Sequence, residues 1–81
     1  MRVLRGELLA GVGRCHDALE VFGSALLGKL TAGAEERAMY GRTLCQSRLG
    51  QTEKAHAEGE AYLKRFPVSR HADAVRGLLA R

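Results

Sequence analysis

Two cysteines and three histidines are the side chains of this 81-residue chain whose chemistry could reach beyond packing. Cys15 stands beside His16, and a thiol at a helix start can be activated by a lowered pKa. A nucleophile also needs an oriented base and an oxyanion site, and nothing in the sequence supplies either, so Cys15 is expected to be an ordinary helix-start residue. Cys15, Cys45, His56 and His71 could in principle ligate zinc, yet no pair has C-x2-C or H-x3-H spacing, and no metal site is expected. His56-Ala57-Glu58-Gly59-Glu60 is not HExxH; its acids read as solvated helix surface. Gly11-Val12-Gly13 lacks the third glycine and the preceding strand of a dinucleotide loop. No catalytic residue and no cofactor is therefore expected, and the chain is not read as an enzyme. Both cysteines fall on expected helices, where buried reduced thiols are the expected state. A disulfide is the lesser alternative, because sequence cannot test its geometry.

The elements that carry these residues follow from composition and periodicity. Hydrophobic residues make up 46% and charged residues 27% of the chain, which fits one small globular domain rather than a disordered segment. There is no Trp, and with two Tyr and two Phe the core must be built mostly from Leu, Ala and Val. Good helix formers dominate and β-branched residues are few, so the expected fold class is all-α. No apolar run is long enough for a membrane span, and Glu7 interrupts the N-terminal apolar stretch, so neither membrane insertion nor a secretory signal is read. A cytoplasmic location is favoured. An envelope-associated one stays open if the chain is a fragment or has lost a signal. The net charge of +4 is spread along the chain without a basic block.

Five helices are expected. The first covers about Arg2 to Ala10 and is closed by Gly11-Val12-Gly13. The second runs from Cys15 to Leu27, with Ala18, Phe22, Ala25 and Leu26 on one face. After a loop in which Thr31 can cap, the third begins near Ala34, with a core stripe of Ala38, Gly41, Cys45 and Leu49. Gly50 ends it. Thr52 is the expected cap of the fourth helix, Glu53 to Phe66, whose inner face is Ala55, Gly59, Tyr62, Leu63 and Phe66. Pro67, the single proline, stops it. Ser69 is the expected cap of a fifth helix carrying Ala72, Val75 and Leu79. Short connections make sequential helices antiparallel, so the architecture is an array of helical hairpins. Gly6, Gly23, Gly41 and Gly59 fall inside helices, each at a cost of roughly 1 kcal/mol against Ala, and close helix approach is the expected compensation.

An internal repeat organises these elements. Gly13-Arg-Cys-His-Asp-Ala-Leu-Glu-Val-Phe22 aligns with Gly50-Gln-Thr-Glu-Lys-Ala-His-Ala-Glu-Gly59: a glycine ends one helix, a polar turn follows, and Ala18 or Ala55 opens the inner face of the next. With Ala18-x-x-x-Phe22, Ala25 at the matching spacing, Gly6 as the small residue of the first helix, and Ala55 and Pro67 in the second unit, the chain resembles the tetratricopeptide repeat family. The units would span about residues 1–30 and 33–67, with a closing helix over 69–81. Phe66-Pro67-Val68-Ser69 and the following Ala72 are similar to joints in bacterial envelope-associated members. The family's Trp is missing, its Leu-Gly pair is incomplete in both units, Gly59 replaces the expected aromatic, and Leu30 stands where the first unit would carry Pro.

The resemblance implies a non-catalytic module that binds a protein or peptide on a concave face lined by the first helix of each hairpin. On that face the third and fifth helices would present Arg37, Tyr40, Leu44, Arg48, His71 and Leu78. The first four share a face by spacing alone. Tyr40 and Leu44 flanked by two arginines suit an acidic, partly apolar peptide; a plain solvated surface is the competing reading. A carboxylate clamp of Lys and Asn is not visible. Self-association through exposed ends is a further expectation, because arrays of fewer than about three units leave apolar ends uncovered. The alternative function is a basic helical nucleic-acid binder, although no recognition helix or aromatic stacking platform is present.

Overall fold

A computed structural model describes residues 2–80; the expected ends at Met1 and Arg81 lie outside the described residues. The chain is all-α, with α1 (Arg2–Gly11), α2 (Cys15–Leu26), α3 (Ala32–Arg48), α4 (Thr52–Arg65) and α5 (Ala72–Leu79). Each helix packs on the next, and α3 also touches α1 and α5, so the molecule is an array of antiparallel hairpins with α3 at its centre. That position explains why α3 has no single apolar face. It buries Ala38, Gly41 and Cys45 toward the first hairpin, and Glu36, Met39 and Thr43 as well. Among the described residues no helix is long and apolar enough to cross a membrane.

The corners between helices are set by two glycines. Gly13 and Gly50 adopt φ of +82° and +75°, the left-handed region that glycine enters without a Cβ clash. At the first corner Arg14 N–H donates to Leu9 C=O (2.9 Å) and Gly13 N–H to Ala10 C=O (3.1 Å). At the second, Gln51 N–H donates to Gln46 C=O (2.9 Å) and Gly50 N–H to Ser47 C=O (3.1 Å). Both pairs make the Schellman closure, which satisfies carbonyls that a helix end otherwise leaves unbonded. The two aligned segments of the repeat therefore begin with the same backbone device.

Phe22 is the centre of the first core cluster and is fully buried with Val3, Ala18, Ala25, Ala38 and Cys45 around it. Its ring lies so close to Gly6 on α1 and Gly41 on α3 that a Cβ at either position would overlap ring carbons. Those two glycines admit the ring between three helices. Gly59 instead faces α5, where a Cβ would sit 3.2 Å from Val75 and 3.1 Å from Leu79. Gly23 meets nothing within 4 Å, so close approach does not account for it. A second cluster joins Met39, Tyr62, Ala72 and Val75 and fastens α4 and α5 to α3.

Several sequence expectations are corrected. Cys15 and Cys45 are joined as a disulfide, not reduced; their Cα atoms lie 5.1 Å apart, inside the range such a bridge requires. The pairing arises because the start of α2 lies beside the later turns of antiparallel α3, and it ties one hairpin to the next. Thr52 does not cap α4: it is the first helical residue, and Gln51 precedes it without a side-chain capping bond. Ser69 does not cap α5, whose N-cap is His71. Its hydroxyl instead donates to Phe66 C=O (3.1 Å), holding the turn that Pro67 starts. Thr31 does cap α3, accepting from Ala34 N–H at 3.2 Å, although that helix begins at Ala32, ahead of the expected Ala34.

Candidate functional site: a basic cleft between α1 and α3

A cleft of about 220 Å3 opens between α1 and α3, and residue 71 also lines it. Its apolar lining comes from Tyr40, Gly41 and Leu44 of α3, Ala10 and Gly11 of α1, and the edge of Phe22. Arg37, Arg48 and His71 add basic groups, and Glu7 is the one carboxylate that lines it. Five of the six residues proposed from sequence thus border one cavity. Leu78 does not. It lines a separate hollow with Ser47, Thr52, Ala55, His56 and Leu79.

The cations of the cleft are held in different ways. Arg37 makes a two-pronged contact with Glu7, Nε to Oε2 at 3.1 Å and Nη2 to Oε1 at 2.5 Å, which bridges α3 to α1. The Glu7 hydrogen bond and charge hold the guanidinium still more firmly in its charged form. Arg48 is exposed and donates through Nη1 to Ala10 C=O at 3.3 Å. No carboxylate pairs with it among the described residues, so its charge stays available to a ligand.

His71 is fixed by a polar cluster that sequence reasoning missed. Glu36, only 6% exposed, accepts from Tyr62 Oη (2.5 Å) and lies 2.7 Å from His71 Nδ1. The single Ser69 hydroxyl proton is divided between Tyr62 Oη, 2.5 Å away, and Phe66 C=O. Tyr40 stacks on the His71 ring, with centroids 3.9 Å apart and planes 3° from parallel. A buried carboxylate needs such partners, because unpaired charge is strongly penalised away from water. Burial pushes the Tyr62 phenol up to about 12, and its bond to the Glu36 carboxylate adds to the shift. The one sequence signal for this cluster was Glu36 in the first turns of α3, where it reads more simply as a dipole partner.

Among the described residues the cleft brings together no activated nucleophile. Ser69 bonds Tyr62 and Phe66 C=O rather than His71, and both thiols are consumed in the disulfide. Among the described residues no group of three or more His, Cys, Asp or Glu side chains could hold a metal ion. Compared with protein-family models, curated proteins and solved structures, the chain has no match.

Proposed function

We propose that this chain is a non-catalytic protein-interaction module, related in design to tetratricopeptide repeats, that holds an acidic, partly apolar peptide in the α1–α3 cleft. The observation that carries this reading is Arg48, a guanidinium beside an apolar cleft with no carboxylate partner among the described residues. A peptide carboxylate there would gain a charge-assisted hydrogen bond, while Tyr40 and Leu44 receive an apolar side chain. Arg37 contributes less, since Glu7 already occupies it. The test is anisotropy of a rhodamine-labelled peptide of alternating glutamate and leucine. Arg48→Gln should weaken its binding about tenfold without lowering the melting temperature, and unchanged affinity would remove the cleft reading.

A second reading rests on the outer face of α1 and the turn that follows it. Leu4 and Leu8 of α1 and Val12 just after it recur at four-residue spacing and are 49%, 65% and 73% exposed. Such an apolar stripe favours association of the array through its end. Sedimentation at two concentrations a hundredfold apart distinguishes the cases: a strictly monomeric species excludes self-association.

A further inference from the structure

We infer that binding of an acidic peptide in the α1–α3 cleft is coupled to protonation of His71, whose Nε2–H then grips a ligand carboxylate. This rests on the peptide-binding reading above and adds to it a recognition group and a proton. His71 has its Nδ1 side committed to Glu36 at 2.7 Å and its ring face committed to Tyr40. Nε2 is the one polar atom of the ring left, with no protein partner among the described residues, on a side chain that is 26% exposed and lines the cleft.

The two protonation states present opposite chemistry to a ligand. Neutral His71, donating from Nδ1–H to Glu36, offers only the Nε2 lone pair to the cleft, and a lone pair repels a carboxylate. The imidazolium keeps the Glu36 bond and turns Nε2 into a charged donor. A short charge-assisted bond to a carboxylate then becomes available. Histidine is the side chain that makes this change between about pH 5 and 8.

Charged and polar groups of both signs surround the ring. From α3, the Glu36 carboxylate and the face of Tyr40 lie against the ring, and Arg37 and Arg48 line the same cleft. From α1, Glu7 also lines the cleft and is paired with Arg37. From α4, the Tyr62 hydroxyl donates to the same Glu36 oxygen and draws off part of its charge. A bound carboxylate adds one more negative group and tips this balance, so ligand and proton bind together.

Anisotropy titrations with the rhodamine-labelled glutamate–leucine peptide between pH 6 and 8 test the coupling, because the glutamates stay ionised throughout. The expected result is affinity about tenfold tighter at pH 6 than at pH 8. In His71→Asn the amide can keep the Glu36 bond but cannot take up the proton. That variant should bind with the weak affinity of the wild type at pH 8 across the whole range. NMR of the imidazole Cε1–H in the unmodified protein gives an independent reading, with the His71 midpoint rising by about one pH unit on saturation with peptide. A tenfold affinity change and a one-unit shift are the same linkage. The same pH slope in His71→Asn, or an unmoved His71 midpoint with peptide bound, overturns the coupling while leaving the cleft reading intact. Absence of peptide binding at every pH overturns both.

Discussion

Phe22 of α2 meets two further helices through one ring, and the two glycines that face it have no side chain to retract. Gly41→Ala should therefore destabilise the fold by about 1–3 kcal/mol, the usual range for overpacking, although alanine is the better helix former. A compensating Phe22→Leu in the same chain should restore much of the loss. Thermal melts of the single and double variants would show this as strong non-additivity. Tyr62 gives a second prediction at this scale. Its folded-state pKa is about 12 against an ordinary value near 10. Below pH 10 the phenol is neutral in both states, and its contribution is constant. Between pH 10 and 12 the unfolded chain loses the proton and the folded one keeps it, so stability falls as pH rises through that window. Urea midpoints at pH 9 and 11 should differ more in the wild type than in Tyr62→Phe. An equal drop in both would place the alkaline sensitivity elsewhere.

At the scale of elements, the disulfide and the Pro67 turn decide how one unit meets the next. Cys15 and Cys45 are separated by 30 residues, and closing a loop of that length stabilises the folded state by about 3.5 kcal/mol in the chain-entropy model. A paired Cys15→Ser, Cys45→Ser variant should lose about that much, or roughly 15 °C or more in melting temperature for a domain of this size. Intact-mass measurement with and without reductant before thiol alkylation would check the pairing itself. The helices were legible in the sequence because their punctuation is local: Gly13, Gly50, Thr31 and Pro67 act on their own neighbourhoods. The disulfide was not, because helical periodicity fixes which face a cysteine occupies but not how far one helix slides along another. Ser69 was misread for a related reason. A serine shortly before a helix can cap it or bond backward, and only the position of Phe66 C=O and the Tyr62 hydroxyl selects the second.

For the whole molecule, the cleft was half legible. Arg37, Tyr40, Leu44 and Arg48 lie on one helix, so their common face needed no knowledge of tertiary structure. His71 reached the same cavity from the turn before α5 rather than from the helix itself. Leu78 lies seven residues further on, about 10 Å along a helix, which carries it past the cleft to the hollow beside Thr52 and His56. Glu7 and Glu36 were not foreseen as partners of Arg37 and His71, because each pair joins positions about thirty residues apart and depends on helix packing.

The disulfide also changes what a break in the backbone means. Lys29 is exposed in the segment between α2 and α3, outside any helix and outside the hydrogen-bonded corners that hold Arg14 and Arg70, whereas the other described lysines and arginines sit on helical backbone that a protease must first unwind. Limited trypsin treatment should cut first after Lys29, leaving residues 1–29 and 30–81 as two polypeptides still joined through Cys15 and Cys45. On a gel without reductant the product should migrate near the intact chain, and with reductant it should separate into two bands. The continuous backbone between the two hairpins is then dispensable once folding is complete, and a heterologous sequence could be inserted at that site while the hairpins stay paired.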